Sequence, residues 1–336
     1  MDLSTTYMGL RLRTPLVAGA GPFSQQFDGV RRLEDAGASA VVLYSLFEEQ
    51  LSFDQGELVE FLSQGSSYAE TVARFSGRGR LGQSPVDYLE AVNRASTACK
   101  IPIIASLNGS ANMRWTHFAR LLEQAGAAAL ELNFYEVPTD PQLDSNTLES
   151  RYAETISSIR KQVKIPVAIK LSPFFTNLSA AVRGFAEAGA DGFVLFNRFY
   201  QPDIDLETFR VRPHLTPSTP HDIRLPLRWI SILRAQIDAS LIATGGVHSS
   251  EDALKLLLVG ADAVQMCSAL LRRGVDHIRT VESGLRIWLA AQGESSISDI
   301  VGRLQPKPSD GDVNPSAFER AQYMKTLESY APDIEL

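Results

Sequence analysis

Apolar residues in this chain gather into short unbroken runs, and several of those runs follow the same phrase. Residues 34–44 (EDAGASAVVLY), 123–134 (EQAGAAALELNF), 186–197 (AEAGADGFVLFN) and 257–266 (LLVGADAVQM) each read as a helix end, a glycine suited to the left-handed position after it, and a run apolar enough to be buried on both faces. Between these joints lie three runs that open at proline, 14–21 (TPLVAGAG), 101–109 (IPIIASLNG) and 165–173 (IPVAIKLSP), with 240–246 (SLIATGG) as their proline-free counterpart. Together they predict eight buried strands. Helical patterns fill the intervals at 28–36, 85–98, 112–125, 147–163, 177–188, 226–236, 250–258 and 268–291. Strict alternation of eight strands with eight helices predicts an α/β fold closed as a (β/α)8 TIM barrel, because doubly wound open sheets seldom sustain that count at regular spacing.

Two intervals exceed a simple connection. Residues 47–84, after strand 2, and 198–225, after strand 6, both leave the C-terminal face of the barrel, where barrel enzymes place their chemistry, and are candidate walls or lids. After Leu304 the composition turns linker-like (QPKPSDGDVNP) before an amphipathic helix from about residue 315 to 330. The expected division is a barrel over 1–304 and a linker with a helix over 305–336, the helix packing on the barrel or on a partner subunit.

A length of 336 residues with 44% hydrophobic content suits one barrel with insertions. The net charge of −7 is scattered and no basic cluster marks a face for phosphate backbones, which argues against nucleic acid. Only Cys99 and Cys267 are present, neither in metal-ligand company, so no metal is expected and reduced thiols in the cytoplasm are. No apolar run approaches membrane-spanning length. A small-molecule substrate and a homodimer are the expected partners.

In a barrel the chemistry belongs at the C-terminal strand ends, so those positions can be read in turn. Strand 1 offers Gly19-Ala20-Gly21, a shelf of small residues on which a flat ring can approach the backbone. Strand 2 offers Tyr44 and Ser45, strand 3 Ser106 and Asn108, and strand 4 Asn133 followed by Tyr135 and Glu136. Strand 5 ends in Lys170, strand 6 in Asn197, strand 7 in Thr244-Gly245-Gly246 and strand 8 in Cys267-Ser268. The last two ends build adjacent loops rich in free backbone N–H groups, which suits a phosphate. Lys170 lies inside an apolar strand and needs a polar partner, since an unpaired buried ammonium costs several kcal/mol. That partner is either the electron-rich face of a cofactor or a barrel carboxylate such as Glu131. Asn133 and Asn197 can both donate to and accept from a planar polar ligand, or serve as satisfied core amides.

With these features the chain resembles the dihydroorotate dehydrogenase family, closest to its soluble class 1 branch, over roughly residues 7–304. The likeness is carried by TPLVAGAG, VDYLEAV (86–92), ELNF…VPTDPQL (131–143), AIKLSP (168–173), the asparagine of VLFN (194–197) and ATGGVHSSEDALKLLLVGADAVQMCSALL (243–271). It implies an FMN-dependent oxidoreductase acting on a CH–CH bond, with oxidation of dihydroorotate to orotate in pyrimidine biosynthesis as its specific form. By that likeness Gly245, Gly246, Cys267 and Ser268, beside Thr244, hold the FMN phosphate. Gly19, Ala20, Ser45, Asn108, Asn133 and Lys170 line the flavin and ribityl region, and Asn133 and Asn197 face the substrate.

The chain also departs from the family pattern. The lysine that members carry at the end of strand 2 is Tyr44 here. The Asn-x-Ser-Cys-Pro-Asn run after strand 4 reads Asn133-Phe134-Tyr135-Glu136-Val137-Pro138, without the cysteine that serves as base, and the Gly-Leu-Pro-Asn motif before VDYLEAV is replaced by GRLGQSP. The candidates for the acid–base role are therefore Glu136 and Tyr135, with His214 and His221 in the strand 6 insertion read as loop residues. Three alternatives stay open: reduction of an activated C=C bond with Tyr135 as proton donor, a non-redox barrel enzyme for a phosphorylated metabolite, and a flavin-binding paralogue without catalysis.

Overall fold

The computed structural model of the chain describes residues 1–48, 50, 84–110, 114–198, 200, 202–212, 215–305 and 315–329. An antiparallel hairpin, β1 (Thr5–Tyr7) and β2 (Leu10–Leu12), precedes the barrel. The strands that follow are β3 (Leu16–Ala18), β4 (Ala40–Val42), β5 (Leu46–Phe47), β6 (Ile103–Gly109), β7 (Ala129–Phe134), β8 (Val167–Leu171) and β9 (Gly192–Leu195). A second hairpin, β10 (Asp203–Asp205) with β11 (Arg210–Arg212), lies in the insertion after β9, and β12 (Ser240–Thr244) and β13 (Ala263–Met266) complete the set. Parallel pairing runs β3–β4–β6–β7–β8–β9–β12–β13 and back to β3, closing the expected (β/α)8 barrel. Strand 2 is interrupted: β4 pairs with β6 at Val42↔Ile104, the chain breaks at residues 43–45, and β5 resumes at Leu46↔Leu107.

The barrel strands are largely apolar on both faces because each face has its own core. Val17, Val42, Ile104, Ala168, Val194 and Ile242 fill the interior, and Tyr7, Met8 and Leu12 of the first hairpin plug its N-terminal end. Space there is tight: a Cβ on Gly192 would lie 2.9 Å from Met8 Cγ. Outside the sheet, a larger core with Trp115, Phe118, Phe185 and Phe193 packs against the helices.

The helices are α1 (Phe27–Asp35), α2 (Pro85–Ala98), α3 (Arg114–Gln124), α4 (Ser145–Arg160), α5 (Leu178–Glu187), α6 (Arg224–Arg234), α7 (Ser250–Leu258), α8 (Ser268–Arg273), α9 (His277–Gln292) and α10 (Pro315–Glu328). The glycines of the repeated phrase, Gly37, Gly126, Gly189 and Gly260, all take positive φ between 98° and 111°, so the joint read from the sequence is a real conformational requirement. One expectation is corrected. The single helix over 268–291 is two helices, because Gly274 at φ 84° ends α8 and the chain restarts at His277. Most of the insertion after strand 2, and residues 306–314 of the linker-like stretch, lie outside the described residues. No described helix is long and apolar enough to cross a membrane.

Candidate active site

Beneath the C-terminal mouth three polar side chains meet inside the barrel. Lys170 Nζ lies 3.3 Å from Glu131 Oε1, and Gln265 Nε2 donates to Glu131 Oε2 at 2.5 Å. Backbone register sets their levels. Lys170 is paired with Asn133, and Asn133 with Asn108, whereas Glu131 is two residues lower, beside Ala168 and Ser106. Lys170 therefore has the barrel carboxylate as its partner within the protein, below its own level.

One step around the barrel, Asn133 uses both amide hydrogens. They go to Ser106 Oγ (2.9 Å) and Leu107 O (3.1 Å), and Ser106 Oγ shares a 2.8 Å hydrogen bond with Ser45. Buried Tyr88 fixes Ser106 from behind by accepting from its N–H at 2.8 Å and donating to its carbonyl at 3.1 Å. What Asn133 offers a ligand is consequently its Oδ1 acceptor. Asn197 offers the opposite: its backbone is tied to Leu171 O at 2.8 Å, while its Nδ2 is buried without a partner. An acceptor and an unspent donor thus stand at the ends of β7 and β9.

The glycine pair after β12 forms the third part. Gly245 and Gly246 take φ of 89° and 83°, a geometry that side chains resist. A Cβ on Gly245 would meet nothing within 4 Å, so that position opens on free space, whereas one on Gly246 would fall 2.4 Å from Ile223 N. Ser218, buried although it comes from the long insertion, accepts from Gly246 N at 3.2 Å and donates its own N–H to Ser268 Oγ at 3.0 Å. Its hydroxyl also contacts His248 Nε2 at 3.4 Å, and burial lowers the His248 pKa below the ordinary imidazole value. Arg198 anchors the same insertion, donating to Thr216 O at 2.9 Å and to Asp222 at 2.8 Å. On the far side Gly19 N donates to Met266 O, and Cys267 Sγ lies 3.5 Å from Ala20 O. A Cβ on Gly21 would come within 2.7 Å of that sulfur, so the small-residue shelf packs directly on the end of β13. Burial raises the Cys267 thiol pKa, against the opposing charge of Lys170.

The two acid–base candidates part company. Glu136 receives Arg151 Nη2 on both oxygens at 2.6 Å, with the Tyr152 hydroxyl at 3.4 Å, so its carboxylate is turned to α4 and is already engaged. Tyr135 accepts a 2.6 Å hydrogen bond from the Tyr200 backbone N–H, which ties the loop after strand 4 to the insertion after strand 6. His221 is exposed and His214 lies outside the described residues.

Sequence reading missed Ser218, His248 and Gln265. Ser218 sits in an insertion with no periodicity; the only local signal is the Thr219…Asp222 capping box that follows it. The residues present fit FMN on structural grounds. There is open space over Gly245, an N-terminal helix turn at α8, a buried ammonium, and a buried unpartnered amide.

Comparison with known proteins gives the family. The profile of the family described as "Dihydroorotate dehydrogenase" matches residues 82–289. The chain is 29% identical to a putative dihydroorotate dehydrogenase A (fumarate) of Aeropyrum pernix, over 90% of this chain and 97% of that protein. It is 27% identical to the catalytic subunit of dihydroorotate dehydrogenase B (NAD(+)) of Thermoplasma volcanium, over 90% and 98%. It is 23% identical to the NAD-dependent dihydropyrimidine dehydrogenase subunit PreA of Escherichia coli K12, over 90% of this chain and 76% of that one.

Proposed function

Because the chain belongs to the dihydroorotate dehydrogenase family, we propose that this FMN-dependent oxidoreductase works on the C5–C6 bond of a dihydropyrimidine ring, with dihydroorotate to orotate as its reaction. The observation that carries the ring assignment is the pair at the ends of β7 and β9. Asn133 presents an acceptor and Asn197 an unspent buried donor, the complement of a ring N–H beside a ring carbonyl. Within this proposal the N–H groups of Gly245 and Ser268 and the Ser268 hydroxyl bind the FMN phosphate, beside Gly246, Thr244 and Cys267. Gly19, Ala20, Ser45, Asn108, Asn133 and Lys170 surround the remainder.

FMN supplies the hydride acceptor when bound. The protein's own part is to orient the ring and to move one proton. Asn133 and Asn197 fix the ring through its amide groups and so set which carbon faces the flavin. Tyr135 is the proton carrier: as the phenolate its Oη takes the ring-carbon proton while hydride leaves the neighbouring carbon, and as the phenol, accepting from Tyr200 N–H, it returns that proton in the reductive direction. Glu136 takes a different role from the one read in the sequence. With both oxygens on Arg151 it shapes the loop after strand 4, and the proton step is assigned to Tyr135 alone.

The test is anaerobic titration of the FMN-loaded protein with dihydroorotate, dihydrouracil, orotate and fumarate, followed at the flavin band near ~450 nm. Bleaching by dihydroorotate supports the proposal. Bleaching by dihydrouracil alone moves the substrate to the uncharged pyrimidines, and a yellow protein that neither bleaches removes the proposed reaction.

A cytoplasmic homodimer and the division into a barrel (1–304) and a C-terminal segment (305–336) complete the proposal. Support for the segment's packing is the 2.9 Å ion pair between Arg228 of α6 and Glu319 of α10. Support for the dimer is the β10–β11 hairpin, whose paired Ile204 and Val211 are both exposed, as is Phe209 at its turn.

A further inference from the structure

The polar layer under the mouth is costly in a way that cofactor binding alone does not explain. An apolar set already fills the barrel below it, and a Leu or Met pair would continue that packing. Instead Glu131 and Gln265, each 1% exposed, join across the interior from β7 and β13, Gln265 paired in register with Val17 and Glu131 two residues above the Ile104–Ala129 pair. A buried carboxylate persists only if its partners compensate for lost hydration. Here each oxygen has one: Lys170 on Oε1 and Gln265 on Oε2.

The two contacts are unequal. Gln265 donates at 2.5 Å, whereas Lys170 stands at 3.3 Å, beyond the 2.7–2.9 Å usual for a charge-assisted N–H···O bond. The carboxylate is thus gripped by the amide and only loosely holds the ammonium. Gln265 gives up its other end to do so, since its Oε1 is buried without a donor. A glutamine that leaves one pole unpaired in order to fix a neighbouring carboxylate is there for the carboxylate. Register places that carboxylate below Lys170, which leaves the upper side of the ammonium toward the mouth.

We propose that Glu131, fixed by Gln265, is the positioning residue that balances the charge of Lys170, so that the site does not overfavour the electron-rich reduced flavin. The inference rests on the FMN reading above. A lone ammonium facing the ring would bind the reduced form much more tightly than the oxidised one and trap electrons there. A carboxylate beneath it offsets that field, and its grip decides how far the ammonium is drawn down. The two neighbours therefore act in opposite senses. Removing the Glu131 charge releases Lys170 toward the ring, whereas removing the Gln265 amide frees the carboxylate to close on Lys170.

The test measures the affinity of the apoprotein for oxidised FMN and, under anaerobic conditions, for reduced FMN, and compares the ratio between variants. Glu131→Gln is expected to shift that ratio about tenfold toward the reduced form. Gln265→Leu is expected to shift it several-fold toward the oxidised form. Damage to the barrel would weaken both affinities together and leave the ratio alone, so opposite shifts are the signature of positioning. Ratios within twofold of the parent in both variants overturn this proposal while leaving FMN binding intact. Failure of the parent protein to bind either form overturns the FMN reading and this proposal with it.

Discussion

Tyr135 and Glu136 are adjacent and assigned opposite fates by their neighbours. Tyr135→Phe keeps the ring and removes the hydroxyl that accepts from Tyr200 N–H; turnover in a stopped-flow reductive assay is expected to fall by about 10² or more while FMN is retained. Glu136→Gln is expected to keep turnover within a few-fold, because the residue it disturbs is Arg151 on α4. A fall as large as that of Tyr135→Phe would return the proton step to Glu136. His248 carries a prediction of its own. Burial lowers its folded pKa below the 6.5 of the unfolded chain, so below about pH 6.5 the unfolded state takes up a proton that the folded state refuses. Its contribution to stability is present above that pH and is lost as pH falls through the folded pKa. Denaturation midpoints of the parent protein should therefore drop more steeply between pH 7 and 5 than those of His248→Gln.

At the scale of elements, the insertion after β9 is closed on itself by Arg198 and joined to the barrel by buried Ile223 and the hydrogen bonds of Ser218. Arg198 fixes Thr216 and Asp222, and Ser218 reaches the glycine pair. Ser218→Ala removes one hydrogen bond at Gly246 and is expected to weaken FMN binding by about fivefold, roughly 1 kcal/mol, in a fluorescence titration. Arg198→Ala, which loosens the whole segment, should weaken it further. By contrast α2 depends on its own first turn. Ser84 accepts from Asp87 N at 3.1 Å and donates its N–H back to the Asp87 carboxylate at 3.0 Å. Ser84→Ala should lower unfolding free energy by about 1 kcal/mol in urea without changing flavin affinity.

For the whole molecule, the β10–β11 hairpin presents Ile204, Val211 and Phe209 to solvent, and an isolated two-stranded hairpin is marginal in water. The proposed homodimer is expected to sediment as a dimer in the parent protein and as a monomer after Ile204→Asp with Phe209→Ser. A parent that sediments as a monomer would remove that part of the proposal.

Barrel, strand ends and cofactor class were legible because each rests on a local rule. The glycine after the helix in each repeated phrase must take positive φ, buried parallel strands must be largely apolar, and Gly245 at the end of β12 opens on free space. Reading the last helix as one piece failed because a single glycine, Gly274, decides between continuation and restart. What the sequence by itself could not order was the set of long-range polar pairs. Whether Glu136 is a base or the partner of Arg151, whether Asn133 is donor or acceptor, and whether Ser218 lines a wall or reaches the glycine pair depend on contacts fixed only when the barrel closes. Hydrophobic pattern repeats along the chain and can be read there. Hydrogen-bond partners of buried side chains, such as Gln265 reaching Glu131 from 134 positions away, are chosen by strand register, and register exists only in the tertiary structure.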